Sequence, residues 1–257
     1  MPKIYLFVFL LLLITRPLHA QVDTTIVLGQ GQSVHVIYHL AETDKPLVVL
    51  QSGARSYAVT WNDLVPLLKE AGYSYLAYDR PGLGESQSID TDRDGATIAM
   101  ELREIIKMLS IDKDIILVGH SMGGVYQAVY ANSYPEKVRG LIMIDSPDGG
   151  WESGLRACLT AEQNNSRDST LQVLRATAWP VAALQEHKGA EDSFSVLKEA
   201  EIAQTLIIIS GGSQSWPPGY DADCLNQAWR DVQQRMTELG EDVTQLISEA
   251  SGHGIPY

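Results

Sequence analysis

Residues 114–134, DIILVGHSMGGVYQAVYANSY, constrain the fold more than any other stretch. The apolar run from Ile115 to Val118 reads as a buried strand. Val125, Ala128, Val129 and Tyr130 then recur at helical spacing up to Pro135, which closes the helix. Between strand and helix sits Gly119-His120-Ser121-Met122-Gly123. A serine presented at so tight a strand-to-helix turn needs small neighbours two residues away on either side, and Gly-x-Ser-x-Gly meets that need as a nucleophile elbow. The helix that opens after Ser121 turns its free N–H groups and positive dipole end towards the hydroxyl, where an oxyanion develops during acyl transfer. The N–H of Met122 is therefore the first expected oxyanion donor.

On either side of this stretch, strand and helix patterns alternate. Thr24 to Leu40 reads as two strands around a Gly29-Gln30-Gly31 turn, with His35 and His39 sharing one face, expected to be the solvent face. Leu47-Val48-Val49-Leu50 is a short buried strand followed by the loop Gln51-Ser52-Gly53-Ala54-Arg55-Ser56. A glycine-containing loop directly after a buried strand brings a backbone N–H close to a reaction centre, which makes Ala54 the candidate second oxyanion donor. A helix follows on Trp61, Leu64, Val65 and Leu68, then a strand from Tyr75 to Tyr78 and the loop Asp79-Arg80-Pro81-Gly82-Leu83-Gly84-Glu85-Ser86. The glycines there shape backbone rather than cradle phosphate, since no Gly-Lys-Ser/Thr or G-x-G-x-x-G pattern accompanies them. Asp94 or Thr97 starts a helix with an apolar stripe of Ile98, Leu102, Ile105, Ile106 and Leu109.

Beyond the elbow, Val138 to Ile144 is another buried strand, ending in Asp145-Ser146-Pro147-Asp148. From 149 to 203 the beat stops, and a mostly helical insertion with Trp151, Trp179 and Phe194 suits a cap over a pocket. The beat resumes with Leu206 to Ile209, a helix through Ala228 to Leu239, a strand from Thr244 to Ile247, and the segment Ser251-Gly252-His253-Gly254-Ile255-Pro256.

A chain of 257 residues suits one large α/β domain with an insertion rather than two enzymatic domains. Its first 20 residues differ in kind: Lys3 precedes an apolar run from Ile4 to Ile14, Pro17 breaks the helix, and Leu18 and Ala20 occupy the −3 and −1 positions of a signal-peptide cut. The expected mature chain, 21–257, is thus exported to the periplasm or the medium. Of the 19 Lys and Arg residues the segment removes Lys3 and Arg16, leaving 17 against 32 acidic residues, net −15. Such a surface disfavours nucleic acid, and stable membrane association is not expected after cleavage. In an oxidising compartment Cys158 and Cys224 either pair or stay as two buried thiols. Neither belongs to a metal-like spacing, so no metal or other cofactor is expected.

The order strand, oxyanion-type loop, helix, strand with DRPGLGES, helix, strand with GHSMGG, helix, YPEKVRGLIMID, cap, strand and SGHGIP resembles the α/β-hydrolase superfamily over essentially the whole expected mature chain. The resemblance implies a mostly parallel central sheet flanked by helices with a helical cap insertion, with Ser121 as nucleophile and His253 as general base. His120, inside the elbow, is not that base. Many members place the triad acid just after the strand that here ends at Ile209, yet residues 210–215 contain no carboxylate. Asp221 and Asp223 lie further along, and other members use the end of the preceding strand, where this chain has Asp145 and then Asp148. Asp145 is the choice, because it ends a strand and so has a rigid support.

Relatives usually continue past the histidine loop into a further helix, whereas four residues follow His253 here; the expectation is a truncated sequence or a partly uncovered core. The activity expected is that of a serine hydrolase cleaving an ester-like bond in a small molecule through an acyl-enzyme, as a carboxylesterase or small lipase. The alternative is a non-catalytic ligand-binding protein of the same fold.

Overall fold

A computed structural model describes residues 20–255. The expected signal segment therefore lies, apart from Ala20, outside the described residues, as do Pro256 and Tyr257. Eight strands form one sheet: β1 (Val22–Val27), β2 (Ser33–His39), β3 (Leu47–Gln51), β4 (Ser74–Tyr78), β5 (Ile115–His120), β6 (Val138–Ile144), β7 (Thr205–Gly211) and β8 (Val243–Ser248). Their spatial order is β1-β2-β4-β3-β5-β6-β7-β8. The β1–β2 and β2–β4 pairs are antiparallel, and every later pair is parallel.

Burial on both faces explains why the central strands read as unbroken apolar runs. Side chains alternate across a strand, so Leu47 and Val49 of β3 pack into one core with Leu76, Tyr78 and Leu117. Val48 and Leu50 pack into the opposite core with Trp61, Tyr75, Ala77 and Val118. Each such leucine contributes about 2 kcal/mol by leaving water.

The larger core is covered by α2 (Gly95–Met108) and α3 (Met122–Ser133). Asp94 caps α2 by accepting from the Thr97 N–H at 2.7 Å, and the stripe of Ile98, Leu102, Ile105 and Ile106 is buried. On the other face a short 3-10 turn at Ala58–Trp61 and α1 (Leu64–Glu70) lie against the sheet.

Between β6 and β7 run four helices: α4 (Trp151–Ala157), α5 (Ala161–Thr177), α6 (Val181–Lys188) and α7 (Ala190–Glu199). The longest, α5, buries none of its 17 residues and starts with a capping box between Thr160 and Gln163. Its stability therefore comes from its cap and ion pairs more than from burial. A disulfide joins Cys158, just after α4, to Cys224 in α8 (Ala222–Arg235), with Cα atoms 5.7 Å apart.

Two local readings need correction. His35 and His39 are buried rather than solvent-facing, because their alternating face of β2 is covered and His35 is held between two acids. Its Nδ1 lies 3.0 Å from Asp79 Oδ2 and its Nε2 2.8 Å from Asp23 Oδ1. The helix expected through Ala228 to Leu239 starts six residues earlier, at Ala222, where Asp221 caps it by accepting from the Cys224 N–H at 3.0 Å. Its last turn, Met236–Leu239, is a 3-10 helix.

Candidate active site

Ser121 stands between β5 and α3 with φ 53° and ψ −129°, a left-handed conformation that costs a non-glycine residue about 1–3 kcal/mol. The surrounding backbone enforces it. A Cβ at Gly119 would lie 2.4 Å from the Gly123 backbone, and one at Gly123 would lie 2.2 Å from the Gln51 carbonyl. No larger residue fits at either position, which is the physical content of the motif's spacing. The strained turn lifts the serine to the rim of a cavity of about 1250 Å³, which His253 and Trp229 also line.

Asp145 follows β6 with no exposed surface, and its carboxylate is surrounded by donors. Oδ2 lies 2.7 Å from His253 Nδ1 and accepts from Gln214 Nε2 at 3.0 Å. Oδ1 accepts from the Gly211 N–H at 2.8 Å and from the Trp229 indole N–H at 2.9 Å. Burial alone would raise the Asp145 pKa, but the bonds from His253, Gly211 and Trp229 outweigh it and hold the group below its ordinary value. A carboxylate only accepts, so His253 Nδ1 carries the proton of this bond, and in the neutral ring the lone pair is on Nε2.

The histidine is fixed through its backbone as well: its N–H donates to Gln214 Oε1 at 2.7 Å, and its carbonyl accepts from His120 Nε2 at 2.7 Å. Burial is the main reason the His120 pKa falls to about 4, so that ring is neutral. Ser121 and His253 face the same cavity without a hydrogen bond between them among the described residues.

The alternative acids are engaged elsewhere. Asp148 binds Arg235 at 2.6 Å, Asp221 caps α8, and Asp223 lies in the first turn of that helix.

Ala54 sits in the loop after β3, exposed, and this loop approaches the serine closely: a Cβ on Gly53 would lie 3.1 Å from Ser121 Cβ. The carbonyls of Ser52 and Gly53 accept from Arg80 Nη1 and Nη2 at 2.7 and 2.9 Å. In a trans peptide the N–H opposes the carbonyl, so with the Gly53 carbonyl turned to Arg80 the Ala54 N–H points away from that guanidinium. Among the described residues neither the Ala54 N–H nor the Met122 N–H donates to another backbone group.

Arg80 and its partners escaped the sequence reading. Its side chain is 1% exposed, and Nε and Nη2 reach Glu186 of α6 at 2.7 and 3.0 Å. Burial opposes the Arg80 charge, but Glu186 overcomes it and raises the pKa. Arg93, paired with Glu101 at 2.7 Å, lies 3.6 Å from Glu186 and completes a buried cluster of two cations and two anions.

Of the aromatics in the expected insertion, Trp151 and Phe194 line the cavity and Trp179 does not, while Trp216 and Trp229, outside it, do. Trp229 meets Trp151 edge-on at 4.6 Å and His253 edge-on at 5.7 Å. Among the described residues there is no cluster of three or more metal-type ligands, and no helix is long and apolar enough to cross a membrane.

A model of the family described as alpha/beta hydrolase fold matches residues 45–161. The chain is similar to salicylic acid-binding protein 2 of Nicotiana tabacum, 32% identical over 122 residues that make up 46% of this chain and 45% of that protein. It is also similar to a 2-hydroxy-6-oxononadienedioate/2-hydroxy-6-oxononatrienedioate hydrolase of Paraburkholderia phymatum, 33% identical over 128 residues, 48% of this chain and 44% of that one. The matches thus span less than half the length of these relatives. Among solved structures, an esterase from Exiguobacterium antarcticum superimposes with a TM-score of 0.66 at 20% identity, over 91% of this chain and 93% of that one, a likeness of fold.

Proposed function

The chain belongs to the α/β-hydrolase superfamily, and from that premise we propose that it is a serine hydrolase cleaving an ester-like bond in a small molecule, as a carboxylesterase does. The observation that carries this reading is the Asp145–His253 hydrogen bond, which orients the imidazole on the cavity that also holds the strained Ser121.

In this mechanism Ser121 Oγ attacks the carbonyl carbon while His253 Nε2 takes the hydroxyl proton. The Met122 and Ala54 N–H groups hold the resulting oxyanion. The intermediate collapses as His253 returns the proton to the departing alcohol oxygen. Water then attacks the acyl-serine with His253 again as base, releasing the acid and restoring the hydroxyl. Asp145 keeps the imidazole in the productive tautomer and stabilises its charged form. The helices between β6 and β7 act as a cap whose inner side shapes the substrate. The charged residues in this wall favour a small ester over a long-chain lipid.

Labelling with a fluorophosphonate probe tests the reading. A stoichiometric adduct on Ser121, absent from Ser121→Ala, supports it. A folded protein that takes no label and turns over no ester overturns it in favour of a ligand-binding protein, the role named in the tobacco relative. Export is proposed from the layout of Lys3, the apolar run and Ala20, with the Cys158–Cys224 disulfide as support, since such bonds persist outside the cytoplasm. The amino-terminal sequence of the protein recovered from the exported fraction tests it: a start at Gln21 agrees, and an intact Met1 refutes it.

A further inference from the structure

Three arginines line the cavity at Ser121, and their charges are balanced unequally. Arg156 is held by Glu152 at 2.7 Å and by Asp168 at 2.6 Å, and Arg167 by the other Glu152 oxygen at 2.7 Å. Both carboxylates are thereby committed. Arg175, two turns further along α5 than Asp168, has no carboxylate partner among the described residues, and its Nε is buried without an acceptor. Its guanidinium lies 5.5 Å from the centre of the Trp179 ring, whose own indole N–H is also buried without an acceptor. Arg55, the residue after Ala54, sits 4.8 Å from the same ring, again with no carboxylate partner among the described residues.

Of the three arginines on the cavity wall, Arg175 is therefore the one that no carboxylate of the described residues pairs. The remaining cavity acids do not fill the deficit: Asp148 is bound to Arg235, and Glu191 stands exposed in the first turn of α7, where it opposes the positive end of the helix dipole. Burial first, and the Arg175 charge second, hold His187 below its ordinary pKa, so the charge of Arg175 is felt at the cavity wall.

We infer that Arg175 is a recognition site for a carboxylate, so that the ester cleaved at Ser121 carries a second, free carboxylate remote from the scissile bond. This rests on the hydrolase reading above. A planar guanidinium pairs a carboxylate through two parallel hydrogen bonds, and one unpaired positive charge matches one negative charge, whereas a phosphate dianion calls for more. A cavity of about 1250 Å³ has room for such a half-ester. The net charge of −13 repels anions at a distance, so the recognition acts at contact range.

The test compares 4-nitrophenyl hydrogen suberate with 4-nitrophenyl methyl suberate, equal in length and differing in the free carboxylate. A second pair carries the acid or its methyl ester on the leaving group. The wild type is expected to favour the acid in one pair by about 10- to 100-fold in kcat/KM, mainly through KM, and Arg175→Met to bring that ratio to about one. Calorimetry of Ser121→Ala with monomethyl suberate against dimethyl suberate reads the same preference without turnover. Turnover with no preference for the acid in either pair, or a preference that survives Arg175→Met, overturns the inference and leaves the hydrolase reading standing. A carboxylate preference in binding with no turnover by the wild type supports the anion site and removes the hydrolase reading.

Discussion

Arg80 and Glu186 form a two-point ion pair, with side chains 1% and 3% exposed, that ties the loop beside the nucleophile to a helix 106 residues further along the chain. The same guanidinium holds the Ser52 and Gly53 carbonyls, so the direction of the Ala54 N–H depends on an acid in the segment between β6 and β7. In this arrangement the Ala54 N–H, the proposed second oxyanion donor, takes its direction only once that segment has docked.

Glu186→Gln is expected to leave Arg80 and Arg93 partly uncompensated and to cost about 3–5 kcal/mol of stability. If the pair positions the loop, kcat for a simple ester falls about tenfold or more with KM little changed, and phosphonate labelling of Ser121 slows in step. A variant that is less stable but fully active at low temperature would show that the pair holds the fold alone.

The pH dependence of stability follows from histidines of opposite sense. His120 has an ordinary pKa of 6.5 that falls to about 4 in the folded chain, mainly by burial, so the unfolded chain binds the extra proton between those values. Stability is then lost as pH drops from 6.5 towards 4, by up to about 3 kcal/mol. His187, also lowered mainly by burial, adds to that side. His35 is the reverse: burial lowers its pKa, but the bonds to Asp23 and Asp79 outweigh burial and raise it. Its contribution is complete below 6.5 and is lost as pH rises through the higher folded value. Urea unfolding across pH 4–8.5 should therefore show a maximum near 6.5. His120→Gln should flatten the acid limb and His35→Gln the alkaline one; limbs unmoved by either variant would refute the assignment.

The disulfide closes a loop with a sequence separation of 66, for which chain entropy predicts about 4 kcal/mol of stabilisation. The double variant Cys158→Ser, Cys224→Ser should lower the unfolding free energy by that order. Because the bond pins α4 to the helix that carries Trp229, the loss should also loosen the wall of the cavity, visible as faster hydrogen exchange in 151–177. A protein equally stable with and without the bond would contradict the entropic account.

Much of this architecture is legible in the sequence because it depends on local pattern. The paired cores on β3, β4 and β5 appear as unbroken apolar runs, and the strained Ser121 is announced by the glycines two residues to each side. Asp145 is legible as a strand-ending acid. What escapes is long-range and polar. No periodicity links Arg80 to Glu186, and the burial of His35 depends on acids 12 residues before it and 44 after it. The early start of α8 is missed for a different reason: its first turn is polar, so the apolar stripe of Leu225, Trp229, Val232 and Met236 reveals itself late.

Gln214 is the sharpest omission, because the sequence reading passes over residues 210–215 for want of a carboxylate. In the structure the side chain in that segment braces the acid supplied by the neighbouring strand: Nε2 donates to Asp145 Oδ2 while Oε1 accepts from the His253 N–H. One amide thus fixes both members of the pair. Asp145→Asn should lower kcat by about four orders of magnitude, since the amide no longer holds the required tautomer, while Asp223→Asn leaves it nearly unchanged. Gln214→Leu, of similar size, keeps Asp145 but leaves His253 as the one partner of its Oδ2 among the described residues and releases the histidine N–H. It should cost about 10- to 100-fold in kcat with little change in KM, and the pH–rate profile should shift because the imidazole pairs with a less constrained carboxylate. Gln214→Glu, which still accepts from the histidine N–H but sets a second negative charge against Asp145, should be slower than Gln214→Leu. Equal rates for wild type and Gln214→Leu would mean that Trp229 and Gly211 alone suffice to hold the acid.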